Sequence, residues 1–210
     1  FRLYRWFPYC ISLGANQNMG EIDILRASAD DLDVVKRPTG GRAILHSEEI
    51  TYSVVTRLEH GLTPSEIYRE INNALMTGLR LYDVRLQATE LETAQPDFKN
   101  IYQTPASTAC FATTAKSELK FEGKKLIGSA QRKLGNVVLQ HGSILCGRYH
   151  KYITRYLNLP MEDRQKVAKD LETKTVEIET ILNSQVDYTR LLNTLREGFF
   201  SYFAPASGTP

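Results

Sequence analysis

The sequence predicts an α+β domain, and three features of the chain support this fold class. Short strand-like segments rich in β-branched residues fill the first quarter, as in "ITYSVVTRL" at residues 50–58. An amphipathic helical pattern follows at about residues 64–82. Residues 110–145 then alternate polar and apolar positions between glycine-containing turns, and helical sequence follows. Strands, one central helix, a meander and terminal helices together indicate an α+β arrangement.

The overall composition is that of a globular protein. Of 210 residues, 42% are hydrophobic and 24% are charged, and the formal net charge of +2 gives no reason to expect nucleic-acid binding. No apolar run approaches the ~20 residues that would cross a membrane. The three cysteines are widely spaced and lack a C-x-x-C pattern, so we expect free thiols in a reducing cytoplasm and no metal site.

Strands dominate the N-terminal region. Residues 1–13 alternate aromatic and polar side chains and then break at Gly14, which predicts a strand or a bent pair of strands. Residues 22–28 are amphipathic and predict a short helix. Further strands are predicted at residues 34–35, 43–45 and 51–58.

The clearest helix is predicted from about residue 64 to residue 82. Thr63 can cap its N-terminus, Pro64 suits the first helical position, and Glu66 stands where a capping box requires a carboxylate. An apolar stripe then repeats every four residues; it consists of Ile67, Ile71, Leu75 and Leu79. After the helix, turns are predicted at Glu122-Gly123 and Gly135-Asn136, and helices at residues 164–171 and 187–203.

The stretch "VVKRPTGGRAILHSEE" at residues 34–49 is a candidate ligand site. Gly40 and Gly41 lie between Arg37 and Arg42, so backbone N–H groups could approach a ligand closely with guanidinium groups nearby. A turn that joins two strands and carries solvated cations is the alternative, and composition alone favours it. Neither G-x-G-x-x-G nor G-x-x-x-x-G-K-[ST] occurs, so the stretch is not a nucleotide fingerprint.

The segment "GKKLIGSAQR" at residues 123–132 brings a lysine towards the interior. Strand alternation puts Lys125 and Ile127 on one face, and Lys124 and Leu126 on the other. One lysine must therefore share a face with core residues, unless both extend to solvent.

A cysteine and two histidines are further candidates. Cys110 is either a packed core residue or, beside a cation or base, a nucleophile, and two paired strands could bring it to Lys125. His46 and His141 are the general-base candidates near these elements. His60 and His150 lie in polar contexts and are expected to be exposed.

Three motifs, in this order, resemble the lipoate/octanoate attachment enzymes. "KRPTGGRAILHSEEITYSVV" resembles their Arg-Arg-Pro-Thr-Gly-Gly-Arg-Ala-Val-Leu-His signature with its following Leu-Thr-Tyr-Ser. "GKKLIGSAQRK" and "LQHGSIL" are similar to their Lys-x-x-Gly-Ser-Ala-Gln and His-Gly-Ser segments. "ACF", some fifteen residues before the lysine, resembles the cysteine-bearing branch, the protein N-octanoyltransferases. "YRWFPYCISLGANQN" is similar to the opening of the family.

The resemblance covers roughly residues 1–145 and implies a biotin/lipoate–protein-ligase-like fold, with a mixed, largely antiparallel sheet and flanking helices. Residues 1–150 would form the catalytic core, and residues 151–210 a C-terminal helical extension of the same domain. The family has a helix before its first strand, so we expect an N-terminal helix to be missing here. Lys36 stands where the family has arginine, which keeps the charge but loses the planar fork.

The resemblance also implies residue roles. Cys110 would attack the thioester of octanoyl-acyl carrier protein and hold the octanoyl group, while Lys125 would favour the thiolate and orient the carbonyl. A second set would line the acyl chain and its carbonyl end, with an oxyanion site at residues 128–130; it comprises Arg37, Thr39, Gly40, Gly41, Arg42, Ala43, His46, Gly128, Ser129, Ala130, His141 and Gly142. The acceptor would be a lysine of a lipoyl domain such as the glycine-cleavage H protein, with no metal, ATP or other cofactor.

Two alternatives remain open at the level of sequence. In an ATP-dependent lipoate–protein ligase, Lys125 would polarise an acyl-adenylate and Cys110 would take no part. A non-catalytic relative would bind acyl chains or a partner without turnover. An acyl adduct on Cys110 discriminates the transferase from both.

Overall fold

The computed structural model describes residues 1–58, 61–94 and 117–205, and it confirms the α+β class. Strands in the described part of the chain are β1 (Arg2–Tyr4), β2 (Cys10–Leu13), β3 (Asp33–Lys36), β4 (Ile44–His46), β5 (Glu49–Arg57), β6 (Thr89–Leu91), β7 (Leu119–Phe121), β8 (Lys124–Lys125), β9 (Ile127–Leu134) and β10 (Val137–Leu145). The α-helices there are α1 (Ile24–Ala29), α2 (Pro64–Tyr82), α3 (Met161–Lys174), α4 (Ile178–Leu182) and α5 (Tyr188–Phe203). Short 3₁₀ helices occupy Met19–Glu21, Val84–Ala88 and Tyr149–Arg155.

The strands form three sheets. The central sheet has the order β1-β5-β10-β9 and is antiparallel throughout. A second sheet, β3-β2-β4, contains the parallel pair β2–β3, and a third, β6-β7-β8, is antiparallel. The predicted mixed, largely antiparallel arrangement is therefore confirmed, although it is divided over three sheets.

Helix α2 begins and ends where the sequence predicts. The Thr63 hydroxyl accepts from the Glu66 amide, and the Glu66 carboxylate accepts from the Thr63 amide, which completes the capping box. The apolar stripe of α2 is buried in a core with the central sheet and α5. A Cβ added at Gly198 of α5 would lie 2.3 Å from the backbone nitrogen of Gly78, so the two helices approach at their glycines.

A second core packs the β3-β2-β4 sheet against helices from both ends of the chain. Ile11 and Leu45 of this sheet are buried together with Ile153 and Val167. The chain beyond residue 150 thus contacts the strands of the N-terminal region closely. No helix in residues 1–58, 61–94 and 117–205 is long and apolar enough to span a membrane.

The β7–β8 hairpin turns at Glu122-Gly123, as predicted. Both residues have positive φ, 48° and 75°, the geometry of a two-residue hairpin turn. Gly135-Asn136 joins β9 and β10, which confirms the second predicted turn.

The alternation predicted across Lys124–Ile127 is wrong beyond Lys125. Lys125, Leu126 and Ile127 are all buried, because the chain passes from the β6-β7-β8 sheet to the central sheet at Leu126. The Leu126 amide donates to Leu119, and the Leu126 carbonyl accepts from Leu145. A residue that pairs with both sheets has no solvent face.

Candidate active site

Arg37 shapes the glycine-containing loop at residues 37–42. Its guanidinium donates to the Ser12 carbonyl at 2.8 Å and the Ser12 hydroxyl at 3.1 Å, and to the carbonyls of Gly40 and Arg42 at 3.0 and 2.7 Å. The side chain is buried. A planar fork that holds two loop carbonyls fixes the curvature of the backbone. Both terminal nitrogens of Arg37 therefore bind the protein, and a contact of Arg37 with a ligand stays a prediction.

The two loop glycines have different surroundings. Gly41 has φ of 91°, and its carbonyl oxygen would lie 2.0 Å from a Cβ added at Gly14. The positive φ therefore favours glycine at position 41, and the close approach of the two backbones requires glycine at position 14. A Cβ added at Gly40 would meet no described atom within 4 Å. Space for a ligand beside the loop thus lies at Gly40, while Ala43 is buried and Arg42 half-buried.

His46 stabilises the loop indirectly, through its contact with Ser12. Its Nε2 atom lies 2.8 Å from the Ser12 hydroxyl, and its Nδ1 atom lies 2.8 Å from a carboxylate oxygen of Glu49. The ring stacks on Trp6 at a centroid distance of 4.6 Å. Since both nitrogens are bound within the protein, His46 is a support for Ser12 and Arg37, and the predicted general-base role does not suit this geometry.

Glu49 binds His46 as a carboxylate anion. Burial opposes its ionisation, but the charge and hydrogen bond of His46 and the hydroxyls of Thr51 and Ser143 lower the pKa of Glu49 below its usual value. Thr51 and Ser143 donate to the same carboxylate oxygen at 2.6 and 2.8 Å. The chain of contacts from Glu49 through His46 and Ser12 to Arg37 therefore connects β5 to the loop.

His141 joins the loop to the central sheet. The Thr39 hydroxyl lies 2.6 Å from the Nε2 atom of His141 on β10. Burial, together with the nearby charges of Arg37 and His46, lowers the pKa of His141 to about 4. The imidazole is consequently neutral at pH 7 and can exchange a hydrogen bond with Thr39 without carrying charge.

The residues predicted to shape the pocket from β9 and β10 divide between the two faces of the central sheet. Ser129 and Gly142 are register partners, and residues opposite each other in antiparallel strands share a face. Both lie on the face of Tyr52, whose hydroxyl donates to the Ser129 hydroxyl at 2.6 Å. Ala130 and His141 are partners on the other face, towards the loop. Ser129 and Gly142 thus face one side of the sheet, and Ala130 and His141 face the other.

Gly142 is required by the packing of strands. A Cβ at this position would lie 2.3 Å from the carbonyl oxygen of Gly128 and 2.8 Å from the ring of Tyr52. Any side chain would force β9 and β10 apart. The glycine is thus explained without a ligand.

One of the three predicted oxyanion donors points away from the sheet. The Ser129 amide donates to a carboxylate oxygen of Glu118 at 2.8 Å, and the Ser129 carbonyl accepts from the Tyr68 hydroxyl at 3.2 Å. Alternation along an antiparallel edge strand then turns the amides of Gly128 and Ala130 towards β10. In this structure the amides of Gly128 and Ala130 therefore face β10 and that of Ser129 is donated to Glu118, so an oxyanion role for the three stays a prediction.

Lys125 points into the protein, as predicted for one of the two lysines. Its side chain is 2% exposed, whereas Lys124 is exposed. The ammonium lies 2.9 Å from a carboxylate oxygen of Glu118, which is also 2% exposed. The lysine, its partner and the Ser129 amide therefore form one cluster at the edge of β9.

Two sequence predictions concern residues outside the described ranges, namely Cys110 and His60. The expectation of an exposed His150 is wrong: the side chain is buried between the Gly147 carbonyl at 3.2 Å and the Thr175 hydroxyl at 3.3 Å. Burial lowers its pKa. Among the described residues, no group of three His, Cys, Asp or Glu side chains is arranged to hold a metal ion.

Sequence reasoning missed several residues of the site. Glu118, Ser12 and Glu49 are absent from the predicted set, although each contacts a member of it. Glu118 could have been found, because the two-residue turn at Glu122-Gly123 sets Lys120 opposite Lys125 and leaves Glu118 diagonal to the lysine on the same face.

Comparison with known proteins identifies the family. The model of the lipoyl protein ligase A/B catalytic domain matches residues 1–200. The chain belongs to this family. Octanoyltransferase LipM of Kyrpidia tusciae is 37% identical over 94% of this chain and 73% of its own length. Octanoyltransferase LipM of Bacillus subtilis is 34% identical over 94% of this chain and 72% of its own length. These relatives confirm the prediction of an octanoyltransferase that acts in lipoate biosynthesis.

Solved structures of lipoate–protein ligases confirm the fold of this family member. A bipartite lipoate protein ligase from Thermoplasma acidophilum matches 96% of this chain and 69% of its own, with a TM-score of 0.71 and 19% identity. A lipoate-protein ligase A bound with ATP matches 96% of this chain and 71% of its own, with a TM-score of 0.70 and 18% identity. At such identities the likeness establishes the fold alone.

Proposed function

We propose that the chain moves an octanoyl group from acyl carrier protein to a lysine of a lipoyl domain, such as the glycine-cleavage H protein, through a thioester on Cys110. The observation that carries this proposal is the buried ammonium of Lys125 beside the edge of β9. An ammonium in a buried site suits a carbonyl oxygen that gains negative charge. The octanoyltransferase names of the relatives support octanoyl as the acyl group.

The two described cysteines are unsuited to nucleophilic attack. Burial, with the charges of Asp33 and Glu49, raises the pKa of the Cys10 thiol to about 12. Burial, with the charge of Glu49, also raises the pKa of Cys146 well above its usual range. A thiol acts as a nucleophile only as the thiolate, so the role falls to Cys110.

The reaction has two balanced steps. The Cys110 thiolate attacks the thioester carbonyl, a new C–S bond forms, and the bond to the carrier sulfur breaks, so that the carrier thiolate leaves and takes up a proton. The lysine amine of the acceptor then attacks the acyl-enzyme, an amide bond forms, and the bond to Cys110 breaks. The proton lost by the amine balances the charge of the released thiolate. No metal or further cofactor enters, and free thiols suit a reducing cytoplasm.

Intact-mass spectrometry tests the proposal. The chain is mixed with octanoyl-acyl carrier protein, and we expect one octanoyl adduct that maps to Cys110 and disappears when a lipoyl domain is added. Cys110→Ser should form no labile adduct, whereas the matched variant Cys10→Ser should still form it. A second reaction with ATP, octanoate and the lipoyl domain serves as the ligase control. Acceptor modification there, with no Cys110 adduct from the acyl carrier protein, would refute the transferase.

A further inference from the structure

One face of the central sheet is open to solvent and largely apolar. The strand register places the odd-numbered positions of β5 and β10 on this open face, together with the even-numbered positions of β9. The opposite face is buried against α2. The apolar side chains of the open face are exposed or half-buried: Val55 (64% exposed), Leu134 (49% exposed), Val137 and Leu139. A solvated face of an antiparallel sheet ordinarily carries polar side chains, so these four indicate a surface that another molecule covers.

The charged side chains of the open face are cationic. Arg57 of β5 and Arg132 of β9 both lie on it and are exposed. Neither is paired with a carboxylate in the part of the chain that the structure describes. Residues 34–47 and 123–147, which include the glycine-containing loop and the strands β8 to β10, contain three and four Lys or Arg residues and no Asp or Glu. An apolar centre with cations beside it suits a partner whose surface is apolar and negatively charged.

The open face continues into the glycine-containing loop of the candidate site. The Nη1 atom of Arg132 donates to the Pro38 carbonyl at 2.7 Å. The Thr39 hydroxyl lies 2.6 Å from the Nε2 atom of His141, which belongs to the same face. Gly40 follows directly, and a Cβ added there would meet no described atom within 4 Å. A protein bound on the open face would therefore lie next to this space, where a group that it carries could enter.

We propose that the open face is the docking surface for the carrier protein that donates the acyl group. The inference rests on the proposed function, which supplies two protein substrates. The donor bears its thioester on a phosphopantetheine arm, whose phosphodiester is an anion that guanidinium groups bind well. The acceptor presents an ammonium, which Arg57 and Arg132 would repel. A second copy of the chain would bring the same cations together, so the charge of this face favours the donor.

The test measures docking and acyl transfer separately in the double variant Val55→Asp, Arg57→Glu. We expect the Kd for acyl carrier protein, from titration calorimetry, and the KM for octanoyl-acyl carrier protein to rise at least about tenfold, because an apolar contact is lost and a charge is reversed. With octanoyl-pantetheine, which has neither the protein nor the phosphate, the rate should stay within about twofold of wild type. The matched control is Val84→Asp, Lys169→Glu, which makes the same replacements at exposed positions outside the open face and should leave the Kd and both reactions unchanged.

Three results would overturn the docking surface. The first is a folded double variant with the wild-type Kd and KM for the carrier protein. The second is a variant that loses only the transfer from the acyl-enzyme to the lipoyl domain, since the face would then bind the acceptor. The third is a wild-type dimer, seen by sedimentation, that the two substitutions dissociate. If circular dichroism shows that the double variant is unfolded, Arg57→Glu alone is judged by the same measurements. A wild-type chain that binds the carrier protein through this face but forms no Cys110 adduct refutes the proposed function and leaves the docking surface standing.

Discussion

The hydroxyl of Thr39 and the Nε2 atom of His141 lie 2.6 Å apart and connect the glycine-containing loop to the central sheet. Thr39 is fully buried, and His141 is half-buried. Two side chains of the loop therefore hold it in place: Arg37 binds the Ser12 and Gly40 carbonyls, and Thr39 binds His141.

Removal of this hydrogen bond should slow acyl transfer with little loss of fold. We expect Thr39→Val to destabilise the protein by about 1 kcal/mol and to lower kcat/KM by about five- to tenfold, because a buried hydrogen bond is lost while volume is kept. Octanoylation kinetics and urea unfolding check the two numbers. Thr56→Val, at the far end of β5, is the control and should leave both near the wild-type values. An unaltered kcat/KM in Thr39→Val would show that the loop is held without Thr39.

Two glycine-to-alanine changes separate packing from ligand approach. Gly14→Ala places a methyl group 2.0 Å from the Gly41 carbonyl oxygen, so we expect at least about 2 kcal/mol of destabilisation. Gly40→Ala meets open space and should leave the unfolding free energy within about 0.5 kcal/mol of wild type. If a ligand approaches at Gly40, this stable variant should nevertheless acylate more slowly. Wild-type acylation by Gly40→Ala would place the ligand elsewhere.

Arg37→Lys keeps the positive charge but loses the planar guanidinium group and its paired donors. Arg37 donates to the Ser12, Gly40 and Arg42 carbonyls, and one ammonium cannot reach all three in that geometry. We expect about 1–3 kcal/mol of destabilisation, as buried acceptors lose their donors. Lys36→Arg is the matched control, since Lys36 is exposed and should tolerate either cation. Equal melting temperatures for Arg37→Lys and wild type would contradict the role given to the fork.

The depressed pKa of His141 predicts acid sensitivity. Its folded value of about 4 lies below the unfolded value of 6.5, so between these values the unfolded chain binds the extra proton. The stabilising contribution is complete above about pH 6.5 and is lost as the pH falls towards 4, with an upper limit of about 3 kcal/mol. Urea unfolding of wild type and His141→Gln at pH 7, 5.5 and 4.5 measures it.

The variant should lose less stability than wild type over this range. His150 has a lowered pKa as well and is present in both proteins, so the difference between the two curves isolates His141. Parallel curves would mean that His141 titrates normally in the folded state.

Local signals explain which parts of this fold could be predicted from sequence. The ends of α2 follow from Thr63, Pro64 and Glu66, and the β7–β8 turn follows from Glu122-Gly123, because each signal acts within a few residues. His150 was predicted to be exposed, because no feature near it in the sequence indicates that Thr175 is its partner. Burial of this kind is decided by tertiary packing.

The candidate site shows the same limit. Its glycines and lysine are recognisable as sequence motifs, but the division of Ser129 and His141 between opposite faces depends on strand register. Sequence alternation predicted that one of Lys124 and Lys125 faces the interior, without deciding which, and it failed at Leu126, which changes sheets. Motifs thus indicated candidate residues, whereas their partners required the three-dimensional arrangement.

The backbone of Lys125 has a consequence for the order in which the protein matures. Its carbonyl accepts a hydrogen bond at 3.0 Å from the amide of Val176, which the ribosome adds long after β8 has been made. Helix α5, which closes the core over α2, is synthesised later still. A nascent chain can therefore pair β7 with β8 early, yet its lysine gains this backbone contact only after Val176 has been made.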